Sequence, residues 1–178
     1  MVSLGASHAL FLDCHGTVRS SGSAKHGERG IKDIQTYKPR KISSLSNVIE
    51  ISCGLKFSVI LNSLGEVWSF GSNSRGQLGL GDTVDRLKPC KIPDLPPILN
   101  IACGPFHTIL VDKFFCLWGT GSNSAGQIGV DQCKKQLSPV KTNAVGNIVL
   151  VTCSSHQTIL VDSEDNIYIL GYPFFDDG

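Results

Sequence analysis

The feature that most restricts this chain is that it repeats itself. Residues 50–99 laid on residues 100–149 match at 15 of 50 positions without a gap. The shared residues include Cys53-Gly54 with Cys103-Gly104, Trp68 with Trp118, and Gly71-Ser-Asn-Ser with Gly121-Ser-Asn-Ser. Gly76-Gln77 with Gly126-Gln127, Gly79 with Gly129, and Pro89 with Pro139 follow. Residues 1–49 fit at an offset of 49: Gly5, Gly16, Gly22, Gly27 and Gly30 fall on Gly54, Gly65, Gly71, Gly76 and Gly79. Residues 150–178 fit at an offset of 50, with Cys153 on Cys103, Tyr168 on Trp118 and Gly171 on Gly121. The reading is one repeat domain over 1–178, with units 1–49, 50–99, 100–149 and a partial unit 150–178. A period of this size marks an array in which each unit buries its apolar surface against its neighbours.

Each unit reads as four short strands. In the third, "ILNIAC" (98–103) alternates Leu99, Ile101 and Cys103 against Asn100 and Ala102, which suits a strand with one covered face. "HTILVD" (107–112) is apolar on both sides, as a strand between two layers must be. "CLWGT" (116–120) carries the tryptophan, and "SPVK" (138–141) starts with a proline that an edge strand tolerates. No window keeps a helical period. The expected fold is all-β: a β-propeller of four-stranded blades, with the first strand of each unit innermost. Ser52, Ala102 and Thr152 suit the crowding at the axis because they are small. Trp118 is expected to pack between blades. Loss of a buried tryptophan costs ~3–5 kcal/mol, so Trp118→Ala should unfold a marginal domain.

Two other propeller types fit less well. The Trp-Asp type has a shorter period, and here Trp68 precedes Ser and Trp118 precedes Gly. Kelch units carry a Gly-Gly pair, which this chain lacks. The stretch "ACGPFHTILV…LWGTGSNSAGQIG" instead resembles the repeat of the regulator of chromosome condensation family. Its elements are a small residue, Cys-Gly, His-Thr, an aliphatic strand, Trp-Gly and a Gly-x-Asn-x-x-Gly-Gln-Leu-Gly loop. Several positions depart from the pattern. The histidine is kept as His8 and His107 but is Phe57 in the second unit and Gln157 in the fourth. Arg19 stands in for tryptophan, and Ala24 and Glu28 for Asn73 and Gln77. The founding propeller of the family closes with seven blades, so about half of one is expected here. The resemblance leads to open ends exposing Leu10, Leu12, Ile167 and Ile169. Such ends imply a longer parent chain, association of copies, or a marginal fold.

The glycine-rich run "GSNSRGQLGLGD" (71–82) raises the question of a phosphate cradle. It lacks the Gly-x-x-x-x-Gly-Lys-Ser/Thr pattern and no helix follows it. The expected role is a tight loop from third to fourth strand. Gly71, Gly76 and Gly79 supply special backbone angles, Asn73 takes the left-handed region, and Ser72 and Gln77 satisfy loop backbone. The same roles carry over to Gly121, Asn123, Gly126, Gln127 and Gly129. The seven cysteines contain no Cys-x-x-Cys pair, and Cys53, Cys103 and Cys153 recur at the repeat period. They read as buried small residues with free thiols, not as metal ligands or disulfides. No catalytic group, cofactor or metal is expected. His107 reads as a hydrogen-bonded structural residue.

With 41% hydrophobic and 17% charged residues and a net charge of +1, bulk composition favours neither nucleic acid nor a membrane. Residues 25–41 are locally basic, and the tail is acidic through Asp162, Glu164, Asp165, Asp176 and Asp177. The start of the chain reads poorly as a signal peptide and no run reaches a membrane span. A cytoplasmic location is expected, with the nucleus as the alternative.

In a four-stranded meander the loops from first to second strand and from third to fourth share one face. That face is expected to carry the partner-binding residues Lys25, His26, Lys56, Arg75, Phe106 and His156. The function expected is a non-enzymatic protein–protein interaction module, a regulatory or scaffold part of a larger protein. Its partner is a protein of unknown identity, with a small GTPase among the partner types. The alternative implied by the resemblance is guanine-nucleotide exchange on a Ran-like small GTPase with chromatin association. Exchange in the founding member uses a wedge-like insertion, and units of 49, 50 and 50 residues leave no room for one.

Overall fold

The computed structural model describes residues 1–32, 36–131, 133–143 and 146–172. Among these are fifteen strands and no helix. The first sheet contains β1 (Val2–Leu4), β2 (His8–Leu12), β3 (Val18–Gly22) and β4 (Thr36–Lys41). The second contains β5 (Val48–Cys53), β6 (Phe57–Asn62), β7 (Val67–Gly71) and β8 (Arg86–Lys91). The third contains β9 (Ile98–Cys103), β10 (His107–Asp112), β11 (Leu117–Ser122) and β12 (Lys135–Lys141). The fourth has β13 (Ile148–Cys153), β14 (Thr158–Asp162) and β15 (Ile167–Leu170). Each sheet is an antiparallel meander in chain order. The architecture is a β-propeller arc whose sheets do not close into a ring.

Residue pattern sets the position of each strand. Every residue of β6 and β10 is buried, because both faces of the sheet are covered there. The outer strands β4, β8 and β12 have no buried residue and hold Pro39, Pro89 and Pro139. A missing N–H costs no ladder bond at such an edge.

Each sheet has a leading face, toward the next sheet, and a trailing face, toward the previous one. Leu10 and Val18 on the first leading face pack with Ile51, Ile60 and Phe70 on the second trailing face. Val59, Leu61 and Val67 meet Ile101 and Leu110 at the second junction. Ile109, Val111 and Leu117 meet Val151 and Leu160 at the third. Trp68 and Trp118 pack against these clusters from partly buried positions, so each tryptophan lines a junction without being enclosed by it.

Three expectations change. Leu10 is fully buried, because the second sheet covers it, whereas Ile167 and Ile169 are 69% and 58% exposed and Leu12 is intermediate. Leu99 is 50% exposed and Ile98 is buried, since an irregularity at Val111/Asp112 shifts the register and breaks the simple alternation. Asn73 keeps ordinary backbone angles. Among the described residues, the positive-φ residues other than glycine are Asn47, Asp94, Phe115 and Asp165. Gly71, Gly76 and Gly79 do have φ of 110°, 80° and 69°.

The Cys-Gly-x-x-His spacing has a steric cause. A Cβ on Gly104 would run into the His107 ring, one on Gly5 into His8, and one on Gly54 into Phe57. The ring at the start of the second strand lies over the turn and requires glycine beneath it. In the fourth unit the pair is Ser154 and Gln157, without a ring, and the glycine is gone. Gly104→Ala should therefore destabilise the chain by ~1–3 kcal/mol, the usual range for forced overpacking. Gly104→Ser combined with His107→Gln should cost less than the two single changes added together. Denaturant titration of the four proteins measures that coupling, and strict additivity would contradict the steric pairing.

Candidate protein-binding face

The turns between first and second strands link across the blades. The Ala6 N–H donates to the Leu55 carbonyl at 3.1 Å and the Leu55 N–H to the Pro105 carbonyl at 3.3 Å. The third-to-fourth loops start beside these turns. Ser23, Ser72 and Ser122 donate their N–H groups to the carbonyls of Ser7, Lys56 and Phe106 at 2.8, 2.9 and 2.8 Å. Both loop sets thus form one face.

Most polar atoms in the glycine loops are committed internally. Asn73 Oδ1 accepts from the Leu78 N–H at 3.0 Å, and Gln77 Oε1 accepts from the Arg75 N–H at 2.8 Å. Asn123 and Gln127 repeat this with the Ile128 and Ala125 N–H groups at 2.9 Å each. In the first unit Glu28 Oε2 accepts from the His26 N–H at 2.7 Å, so the glutamate does the glutamine's work. Asn73 Nδ2 further donates to Asp82, and Asp85 accepts from the Asn73 N–H at 2.8 Å. These side chains cross-brace the loop and occupy the N–H groups of Asn73, Arg75, Leu78, Ala125 and Ile128. No group of three potential metal ligands occurs among the described residues.

A second hydrogen-bond set latches adjacent blades. The Ser58 hydroxyl donates to the Glu28 carbonyl at 2.8 Å and lies 2.9 Å from His8 Nε2. Thr158 donates to the Gln127 carbonyl at 2.7 Å and lies 3.2 Å from His107 Nε2. With the hydroxyl proton on the carbonyl, the Nε2–H is the donor to the hydroxyl oxygen. At the middle junction Thr108 donates to the Gln77 carbonyl at 2.8 Å, with Phe57 in the histidine's place. Burial pulls His107 down to about 4, helped by the neighbouring His156, and also lowers His8. Neutral imidazoles with these partners are structural groups.

The inner strands carry a third set. The Cys53 N–H donates to Ser3 Oγ at 2.9 Å and the Cys103 N–H to Ser52 Oγ at 3.0 Å, each across a junction. Cys53, Cys103 and Cys153 line a recess of about 300 Å³ at the axis. All seven thiols are free. Burial pushes the Cys153 thiol up to about 12, and the Cys53 and Cys103 thiols also upward, so these three are not ready nucleophiles.

Of the residues expected on the binding face, Lys25, Lys56, Arg75 and Phe106 are exposed. His26 is half-buried, with Nδ1 2.9 Å from Asp85 Oδ2 of the second blade, and is committed to that contact. His156 is half-buried beside His107. Asp176 and Asp177 lie outside the described residues.

One repeated feature escaped the sequence reading. Asp13, Asn62, Asp112 and Asp162 each accept two backbone N–H groups of the following hairpin turn. Arg19, Trp118 and Tyr168 donate to the second carboxylate oxygen of Asp13, Asp112 and Asp162 at 3.0, 2.9 and 2.9 Å. Arg19 thus keeps the donor role of the tryptophan it replaces. The signal was present as Asp or Asn at the repeat spacing. Arg29 was also missed: it is wholly buried where the later units have Leu78 and Ile128.

Comparison with known proteins places this geometry. The regulator of chromosome condensation (RCC1) repeat profile matches residues 65–111, and a second profile of the same repeat matches 48–77. The human probable E3 ubiquitin-protein ligase HERC6 is 40% identical over 86 residues, covering 46% of this chain and 8% of that protein. The crystal structure of human WBSCR16 superposes with a TM-score of 0.89 at 23% identity, over 96% of this chain and 46% of that one. Prp20p from Saccharomyces cerevisiae superposes with a TM-score of 0.83 at 24% identity, over 97% of this chain and 45% of that one. The chain spans less than half the length of each of these relatives.

Two outcomes follow from the buried histidine and thiols. Because His107 has a lower pKa folded than unfolded, it favours the folded state fully above about pH 6.5, and this contribution is lost as pH falls toward 4. The stability advantage of the natural chain over His107→Gln should therefore shrink by ~2–3 kcal/mol across that window, as denaturant titrations at several pH values will read. Alkylation of the native chain at pH 8 should reach exposed Cys14 and spare Cys103 and Cys153. After denaturation without reductant all seven should label, as intact mass will show.

Proposed function

Since this chain is a repeat protein of the regulator of chromosome condensation family, we propose that it binds a protein partner through its loop face and catalyses no reaction itself. The observation that carries this reading is the division of labour on that face. The asparagines, glutamines and histidines are committed to the fold, while Lys25, Lys56, Arg75 and Phe106 project from it. Three cations and an exposed aromatic ring on one face suit a protein surface with acidic and apolar groups. Prp20p of Saccharomyces cerevisiae binds Gsp1p and histones, which supports a protein as the kind of partner. The match to HERC6, a probable E3 ubiquitin-protein ligase, spans 8% of that protein, which supports a module that is one part of a larger chain. We place the activity in the cytoplasm, with the nucleus as the alternative. No helix among the described residues is long and apolar enough to cross a membrane.

The exchange reading is separable. The chain should not accelerate release of labelled GDP from a Ran-type GTPase at sub-stoichiometric amounts, and catalytic release would support exchange instead. To test the loop face, a photo-crosslinker at Phe106 is compared with one at Phe114, which is exposed at the opposite end of the blade. Crosslinks to a defined protein from Phe106, lost in a Lys25→Glu/Lys56→Glu/Arg75→Glu variant, are expected. Crosslinks from Phe114 alone would contradict the assignment.

A further inference from the structure

Three of the four units close a hydrogen bond that the second unit leaves open. The carboxylates of Asp13, Asp112 and Asp162 accept from Arg19, Trp118 and Tyr168. The second unit has Asn62 at this place, with Trp68 in the donor's position. Asn62 Oδ1 accepts the two turn N–H groups, from Leu64 at 3.0 Å and from Glu66 at 2.9 Å. These two bonds fix which way the amide points. Its Nδ2 therefore stands where the other units have their second carboxylate oxygen. An amide nitrogen cannot accept from an indole N–H. Trp68 Nε1–H accordingly has no acceptor among the described residues, and it is not a buried atom.

Trp68 and Asn62 line a recess of about 130 Å³ together with Ser44, Leu45, Val48 and Glu66. It lies where the link from the first sheet to the second meets the hairpin turn of the second. Its lining comes from residues 44–68 and involves neither end of the chain. Leu45 and Val48 are buried and give it an apolar side. Glu66 gives it an acceptor. Oε1 of Glu66 accepts from Lys91 Nζ at 2.6 Å and Oε2 from Asn62 Nδ2 at 2.8 Å. The Lys91 and Asn62 contacts hold the Glu66 carboxyl below its ordinary range, so it is ionised at neutral pH. A carboxylate offers about four lone-pair sites, and these two bonds leave the others open.

The recess thus combines an indole donor without an acceptor and a carboxylate with acceptor sites to spare. The ion pair of Lys91 with Glu66 leaves it without net charge. An incoming carboxylate would meet Glu66, and an incoming ammonium would meet Lys91. A neutral group that accepts and donates through adjacent atoms meets neither penalty. At ~30 Å³ for one water, the space takes one such group and is far too small for a nucleotide. We propose that this recess binds an uncharged amide group, whose carbonyl accepts from Trp68 Nε1–H and whose N–H donates to the Glu66 carboxylate. An Asn or Gln side chain and a peptide bond both carry that group. The site lies on the hairpin-turn side, opposite the loop face, and does not rest on the protein-binding reading of that face.

The chain has two tryptophans and therefore two indole N–H signals in a nitrogen-correlated NMR spectrum, assigned by through-bond correlation. Titration with acetamide imitates the side-chain amide, and titration with N-methylacetamide imitates the peptide group, so the two arms separate these sources. A saturable shift of the Trp68 signal with at least one of them is expected. The Trp118 signal should stay in place, because Asp112 already holds that N–H. Acetate and methylammonium at equal concentration should shift Trp68 less. Asn62→Asp/Glu66→Asn copies the fourth unit, where Asn166 Nδ2 donates to Asp162 Oδ2 at 3.0 Å and Tyr168 completes the set. This variant gives Trp68 an acceptor within the chain. It should abolish the amide-induced shift while the melting temperature holds or rises. A Trp68 signal that neither amide moves, or two indole signals that move alike, overturns the proposal. So does a response to acetate as large as that to the amides, or an undiminished shift in the folded double variant.

Discussion

The structure depends on one constraint: each sheet is apolar on both faces and is satisfied only when a neighbour covers each of them. Phe57–Asn62 and His107–Asp112 show the result, with no exposed residue along either strand. Such a sheet cannot stand alone, because a single layer leaves one face in water. The repeat follows from this need. Once a unit has a leading face that fits the next unit's trailing face, copying the unit copies the fit.

Apolar faces alone would let sheets slide or rotate against each other. The polar residues that recur at the repeat spacing fix the stacking. Hydroxyls of Ser58, Thr108 and Thr158 reach back to loop carbonyls of the preceding blade, and Ser3 and Ser52 hold the inner strands together. One exception is Glu50, which accepts the Ile101 N–H at 3.2 Å and is pushed up to about 7 by burial. Burial disfavours the carboxylate there, while the Ile101 N–H it accepts favours it, and burial is the larger effect. Function is left to what these networks do not use, the charged and aromatic tips of the loop face.

Much of this was legible in the sequence, because repetition exposes which residues the fold cannot change. Cys-Gly, the glycine loop and the aliphatic second strand recur, and they mark the seam, the turn and the buried strand. The losses came where one local rule competed with another. Leu99 follows the alternation of a plain strand, but an irregular register turns it outward. Asn73 was read by its tolerance of left-handed angles, yet its work is hydrogen bonding from an ordinary conformation. Leu10 was assigned to the wrong face, since alternation gives two faces without saying which one meets the neighbour. His26 was read as exposed because its partner, Asp85, lies in another unit, at a distance no local pattern reports. Arg29 is buried in a slot that is apolar elsewhere, and the sequence carries no sign of it beyond the alignment itself.

The claim that face-to-face burial carries the fold can be measured strand by strand. Amide hydrogen exchange on the monomeric chain, held dilute and at high salt, should be slowest in Phe57–Asn62 and His107–Asp112, which are covered on both sides. It should be fastest among the strands in Ile167–Leu170, where one face is open. Uniform protection across the four sheets, or protection of Ile167–Leu170 equal to that of His107–Asp112, would contradict it.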